Sequence, residues 1–121
     1  FTSGTPWLPV NENYRTLNAA AEEKDADSVL HFYRHLAKLR ETIPALLDGV
    51  YEELLEENEQ IYAFSRTLGK TCIKTAVNFS TKDAALPAGF LRGTRLAGSY
   101  ADAPTTSLRP LEAVIYEEEI Q

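Results

Sequence analysis

Residues 60–79 read QIYAFSRTLGKTCIKTAVNF, two runs rich in β-branched and aromatic side chains separated by Leu68-Gly69-Lys70. A glycine in so short a break between two such runs predicts a β-hairpin. Because side chains alternate along a strand, Ile61, Ala63 and Ser65 face one way and Tyr62, Phe64 and Arg66 the other. In the next run Cys72, Lys74 and Ala76 oppose Ile73, Thr75 and Val77. Neither alternation is cleanly apolar against polar, which predicts partial cover on both faces. Working outward, Val50 to Leu55 reads as a preceding strand joined through Glu57-Asn58-Glu59. Shorter strands follow at 83–86, 94–98 and 107–108, and a longer last one at 112–118. Strands of this number and spacing predict a small antiparallel β-sandwich or Greek-key sheet.

Upstream of Gly49 the period changes. Val29, Phe32, Tyr33, Leu36, Leu39 and Ile43 recur at three- and four-residue spacings, the signature of one apolar face on an amphipathic helix. Asp27 is the expected N-cap, Arg40 suits the negative end of the helix dipole, and Pro44 blocks continuation. These signals place a helix over 28–42. Residues 1–26 carry Gly4, Pro6, Pro9, Asn11, Asn13 and Asn18 with no sustained period, and read as a long loop with one helical turn near Ala19 to Glu23. The fold class is therefore α+β, divided into residues 1–48 and 49–121.

Composition limits what such a chain can be. Its 121 residues allow one ordinary domain, and 44% hydrophobic with 25% charged residues is a globular balance. Twelve Lys and Arg against eighteen Asp and Glu give a net charge of -6, which repels a phosphate backbone. Nucleic acid is thus an unfavourable partner. No apolar run approaches the ~20 residues of a membrane-spanning helix, so no membrane partner is expected. A single cysteine, Cys72, excludes an internal disulfide and fits a reducing, cytoplasmic setting. The absence of Met and the loop-like opening at Phe1 suggest a piece of something longer.

Several constellations invite a chemical reading. His31 and His35 lie four apart on the predicted helix, a spacing that can hold zinc, but Phe32 occupies the place where the metalloprotease pattern needs Glu. Partly exposed histidines flanking the apolar stripe are the simpler reading, and neither metal nor cofactor is expected. The runs Glu52, Glu53, Glu56, Glu57, Glu59 and Glu117 to Glu119 could suggest acid–base chemistry. That chemistry needs two carboxylates in contrasting environments, whereas runs like these read as solvated strand edges. Cys72 lacks any activating neighbour in sequence and reads as a small core residue. Among the aromatics, Tyr14, Tyr51, Tyr62 and Tyr100 could stack on sugar rings, although strand tyrosines more often serve the core. Trp7, in a Pro-rich loop, is expected either to be pinned to a neighbouring domain or to face a ligand.

Taken in order, these stretches resemble a known family. FTSGTPWLPVNENY at 1–14, with Trp7, Asn11 and Tyr14, precedes a helix carrying Phe32-Tyr33-Arg34 and Leu36 to Arg40. Gly49-Val50-Tyr51, Gln60 to Arg66, Val77 to Ser80 and Leu108 to Ala113 follow. The whole string is similar to the C-terminal portion of family 13 glycoside hydrolases, specifically the oligo-1,6-glucosidase and α-glucosidase group. The resemblance implies that residues 1 to about 26 are the loop after the eighth strand of a catalytic barrel, on its catalytic face. It implies that 28–42 is the last barrel helix and that the chain from about 49 is the closing all-β domain. It implies retaining hydrolysis of α-glucosidic bonds by an Asp nucleophile, a Glu acid/base and a further Asp, none of whose motifs occurs here. Catalytic residues are thus expected to be absent and the piece inactive. Trp7 and Asn11 are the two residues that the resemblance sets at the rim of the parent's substrate cleft.

The expected role is structural, with the sheet covering apolar surface of the parent's barrel. Since one small sheet cannot satisfy the whole helix stripe, Val29, Phe32, Leu36 and Leu39 are expected to leave an apolar patch through which the piece could self-associate. One rival is a stand-alone carbohydrate-binding β-module, which should display two or three coplanar exposed aromatics. A protein-interaction β-domain with no sugar connection is the other rival, and would make the FTSGTPW loop and the helix coincidental.

Overall fold

A computed structural model describes residues 3–104 and 106–121 of the chain. Phe1, which opens the FTSGTPW stretch, lies outside the described residues. The chain divides into two compact units, Phe1–Lys38 and Leu39–Gln121.

The first unit is loop-rich. A 3₁₀ turn over Glu12–Arg15 is capped by Asn11, whose side-chain oxygen accepts from Asn13 N. Asn18 caps a short helix, α1 (Ala19–Glu22), by accepting from Ala21 N at 2.9 Å. Helix α2 covers Val29–Thr42 and crosses the division between the units. Its cap is Ser28 rather than Asp27. Ser28 Oγ accepts from His31 N at 3.3 Å, and the Glu22 carboxylate accepts from Leu30 N at 2.9 Å. Asp27 is set one residue too early because its own N–H donates to Asp25 Oδ1 in a local turn. Arg34 and Glu23 form a two-bond ion pair beside α1. No residue of α2 is buried, and Val29 is 65% exposed, so the apolar stripe read from the sequence lies open or half-open.

The second unit begins with the end of α2 and a separate helix, α3 (Pro44–Asp48), with Pro44 at its first turn. Among the described residues seven strands follow: β1 (Val50–Leu54), β2 (Ile61–Leu68), β3 (Thr71–Asn78), β4 (Ala84–Ala85), β5 (Thr94–Gly98), β6 (Ser107–Leu108) and β7 (Ala113–Glu119). Five make an antiparallel sheet in the order β1-β2-β3-β7-β5, and β4 pairs with β6 in a two-stranded ribbon. The expected meander is β1-β2-β3. The tight β2–β3 hairpin pairs Leu68 with Thr71, leaving Gly69-Lys70 as its loop, and Gly69 takes φ 59° at its first position.

One face of the sheet meets the ribbon. Register puts Ile61, Ala63, Ala76, Val114 and Tyr116 on this inner face, where they form a core with Ala84 and Leu108 from the ribbon. Leu54, Leu55, Leu86, Phe90 and Leu91 pack around it. Two layers thus close one core, which is the small antiparallel β-domain expected. On the outer face stand Tyr62, Phe64 and Arg66 of β2, Ile73, Thr75 and Val77 of β3, and Ile115 of β7. Ile73 is nevertheless fully buried there, because α3 lies against β2 and β3. Arg66 Nη1 donates to Leu46 O at 2.8 Å across that contact. The uneven alternation seen in the sequence has this cause.

Strand β7 lies inside the sheet, between β3 and β5. Glu117 is therefore flanked on both sides, which corrects the edge reading there, whereas Glu118 and Glu119 run past the start of β5 and pair with β3 alone. Glu118 instead pairs with Lys74 across the β3–β7 ladder, at 2.5 Å. The edge reading does describe Glu52 and Glu53, exposed on β1. Where β5 enters beside β7, Gly93 has φ 88°, and a Cβ there would lie 2.0 Å from the Glu117 carbonyl oxygen. Gly93→Ala is expected to cost about 3 kcal/mol through backbone clash and left-handed strain. Gly69→Ala, with open space around its Cβ, should cost about 1 kcal/mol. Urea unfolding followed by circular dichroism would rank the two.

Candidate functional site

Three groups of residues could carry chemistry or recognition. The first is the N-terminal loop. Trp7 is 91% exposed, with Leu8 and Val10 also exposed beside it. Asn11 spends its side-chain oxygen on Asn13 N at 3.2 Å. Asn11 thus holds the local turn, while the indole of Trp7 is open to solvent.

The second group is aromatic. Tyr51 on β1 and Tyr62 on β2 flank Phe64 on the outer face, with ring centroids 5.6 and 5.7 Å from it. The Tyr51 and Tyr62 hydroxyls lie 2.9 Å apart. That hydrogen bond, aided by partial burial and the neighbouring Tyr62, Glu53 and Glu56, pushes the Tyr51 phenol up to about 12. The rings are tilted by 32° and 45° to their neighbour, not coplanar. Tyr51 and Tyr62 are 48% and 41% exposed, so neither is the core residue that strand tyrosines usually are.

The third group was not recognised as a site from the sequence. It centres on Glu112, whose side chain is fully buried between β6 and β7. Arg109 grips it through Nε to Oε2 at 2.9 Å and Nη2 to Oε1 at 2.6 Å, while Arg109 N donates to Oε2 at 2.7 Å. The same guanidinium donates to Asp102 Oδ1 at 2.8 Å and lies 4.0 Å above the Tyr100 ring. Tyr100 in turn donates to Pro110 O. Fully buried Asn78 donates from Nδ2 to the carbonyls of Lys82, Leu108 and Arg109, and accepts from Ser80 N. Leu111, at φ 56°, turns the chain so that Glu112 points inward.

Burial alone would raise the Glu112 carboxyl, but the Arg109 side chain, its backbone N–H and its charge outweigh that, and the carboxyl titrates below its ordinary range. The hydrogen bond from Arg109 likewise lowers Asp102. The guanidinium itself is held charged by Glu112 and Asp102. An Arg and a Glu three apart around a proline carry no mark in sequence that separates them from surface charges, so only the fold exposes this cluster.

Elsewhere, His31 Nδ1 lies 3.0 Å from Ser28 Oγ at the start of α2. Among the described residues no group of three or more His, Cys, Asp or Glu could hold a metal ion. No helix of the described residues is long and apolar enough to cross a membrane. Cys72 is buried and unbridged.

Comparison with known proteins gives this arrangement a context. The α-amylase catalytic-domain family model matches residues 1–49. An oligo-1,6-glucosidase of Parageobacillus thermoglucosidasius is 36% identical over 97% of this chain and 22% of its own length. The chain is similar to one segment of the family 13 glycoside hydrolases. The crystal structure of an isomaltulose synthase from Klebsiella sp. LX3 superimposes with a TM-score of 0.85 at 37% identity, over 97% of this chain and 22% of that one. For Bacillus licheniformis trehalose-6-phosphate hydrolase in complex with a ligand the TM-score is 0.84 at 28% identity, over 96% and 23%. The chain spans about a fifth of the length of the curated relatives it matches. Its alternation of loop, helix and antiparallel sheet is thus that of one segment within family 13 enzymes.

Two outcomes follow from the site's electrostatics. A carboxylate whose folded pKa lies below its unfolded one contributes stability above the unfolded value, and loses it as pH falls towards the folded value. Stability should therefore decline from about pH 4.5 downward. Glu112→Gln should cost about 3 kcal/mol at neutral pH and show a shallower acid limb, as read from urea midpoints between pH 3 and pH 7. For Tyr51 the sign is opposite: a raised phenol pKa contributes below pH 10 and is lost as pH rises through about 12. Tyr62→Phe should return one titration, followed by tyrosinate absorbance, towards the ordinary phenol range.

Proposed function

We propose that this chain is the closing structural portion of an α-glucosidase that hydrolyses α-glucosidic bonds in oligosaccharides. Residues 1–48 supply the last loop and helix of its catalytic barrel and residues 49–121 its C-terminal all-β domain. The chain itself performs no bond cleavage. The observation that carries this reading is that one architecture, at TM-scores of 0.84 and 0.85, recurs in structures named for a trehalose-6-phosphate hydrolase and an isomaltulose synthase. Enzymes named for different reactions share it, so what it contributes is common to them and does not select the reaction.

The chemistry of the residues supports the same conclusion. Glu112, Glu118 and Glu23 are each occupied by a cation, and Glu52 and Glu53 are solvated on an edge strand. None forms the pair of carboxylates with contrasting environments across a cleft that glycoside hydrolysis demands. In this reading Trp7 and Asn11 sit at the rim of the cleft built by the rest of the enzyme, and the setting is cytoplasmic, as the unpaired Cys72 favours. The open stripe of α2, Val29, Phe32, Leu36 and Leu39, is the surface through which the isolated chain self-associates.

The rival sugar-binding module draws on the exposed Trp7, Tyr51 and Tyr62, but Tyr51 and Tyr62 are each tilted against Phe64 and bonded to one another through their hydroxyls. The two readings separate in one experiment. Titration of the isotope-labelled chain with isomaltose and maltotriose should give neither saturable amide shifts nor released glucose. Shifts confined to Trp7 or the outer-face tyrosines would favour the module, and glucose would overturn the structural reading. Light scattering of the same sample should show concentration-dependent association that Leu36→Lys reduces.

A further inference from the structure

The chain carries six tyrosines, and the fold brings two of them hydroxyl to hydroxyl. Tyr51 stands on edge strand β1 and Tyr62 on its neighbour β2. The register sets Tyr51 opposite Arg66 and Glu53 opposite Phe64, so Phe64 lies between the two tyrosines along the ladder. Both rings pack against Phe64, with centroids 5.6 and 5.7 Å from it, and their oxygens meet at 2.9 Å. Other tyrosines are placed differently. Tyr100 commits its hydroxyl to Pro110 O and Tyr116 is buried in the core, whereas Tyr14 and Tyr33 stand exposed in the first unit.

The contact has a chemical consequence. The carbons ortho to each oxygen, where a phenoxyl radical concentrates its unpaired electron, lie one ring bond from the carbons that bear the touching hydroxyls. Removing one electron and one proton from each phenol gives two such radicals. They join through one new carbon–carbon bond between ortho positions, and the two ortho hydrogens move to the oxygens as both rings regain aromaticity. The two electrons and two protons released reduce one hydrogen peroxide to two waters. Both rings are exposed, and exposed side chains reorient within nanoseconds, so the ortho carbons reach one another without unfolding of the sheet.

We infer that Tyr51 and Tyr62 form an oxidative modification site, at which a peroxide-fed one-electron oxidant couples them as dityrosine and fastens β1 to β2. Strand β1 is where such a fastening acts. It pairs with β2 alone, none of its residues is buried, and Val50 is 74% exposed, so its hold on the sheet rests on one ladder. A disulfide is not open to a chain whose single cysteine is Cys72. A bond from residue 51 to residue 62 closes the intervening loop in the unfolded chain as well, which favours the folded state. None of this depends on the reading of the chain as a portion of a glucosidase.

The test is oxidation of the dilute 121-residue chain by a haem peroxidase with limiting hydrogen peroxide, followed by peptide mapping. No Lys or Arg separates the two tyrosines, so trypsin releases both in one peptide, 41–66. That peptide should be lighter by two hydrogens, fluoresce as dityrosine, and stay joined after cleavage at the glutamates between the tyrosines. Its yield should not change on dilution. Tyr62→Phe, which keeps the ring and removes the hydroxyl, should abolish it, while Tyr14→Phe should leave it unchanged. Modification of Tyr14 or Tyr33 with peptide 41–66 left at its original mass would overturn the inference. So would halves that part on cleavage at glutamate, or a yield that falls with dilution, since the coupling would then lie elsewhere or between chains. The purified cross-linked chain should unfold at a higher urea midpoint than the untreated one, and equal midpoints would overturn the fastening of β1.

Discussion

A carboxylate with no exposure to water organises the end of this chain. Transferring Glu112 into the interior is unfavourable unless every lone pair finds a donor, and Arg109 supplies three, two from its side chain and one from its backbone. To make those bonds the chain must turn sharply between β6 and β7, which it does with Leu111 in the left-handed region. The turn brings the Leu108 and Arg109 carbonyls to Asn78, at the end of β3, and Asn78 N to the Glu112 carbonyl oxygen. Ribbon, central strand and last strand are thus tied at one point. The apolar core below it, with Leu108 and Val114 wholly buried, depends on that tie for its register.

The same economy explains how the two faces of the sheet differ. The inner face is completed locally, because the residues between β3 and β7 fold back as a ribbon and loop carrying Ala84, Leu86, Phe90 and Leu108. On the outer face α3 packs against β2 and β3. Burying Ile73 under α3 satisfies that end, and the aromatic residues beyond are left with a hydrogen bond between two tyrosine hydroxyls and partial mutual packing.

Much of this was legible beforehand. The strands at 50–54, 61–68, 71–78, 94–98 and 113–119 lie within a residue or two of their sequence positions, because alternation and β-branched side chains act locally. Helix α2 likewise follows its apolar spacing. Its cap does not: Asp27 and Ser28 are both good capping residues, and the choice between them was made by the Asp25 turn and by the reach of Glu22 from eight residues back. Strand β7 was taken for an acidic edge because its run of glutamates looks solvated. Pairing with Lys74 on β3, far away in sequence, makes that run compatible with an interior strand.

The sequence by itself determined the types of the longer elements, the hairpin at Gly69, the open stripe of α2 and, through the ordered likeness of its segments, the family resemblance, but not the short helix α3 or the 3₁₀ turn. These rest on interactions within a few residues, or on the linear order of residues, and both survive without a folded core. The tertiary structure alone decided that β7 enters between β3 and β5, that Glu112 is buried on Arg109, and that the tyrosines stand exposed on the outer face. The place of β7 and the tie from Asn78 that buries the Glu112 turn depend on contacts between residues tens of positions apart, whose closure is favourable only once the hydrophobic core and the antiparallel ladders form together.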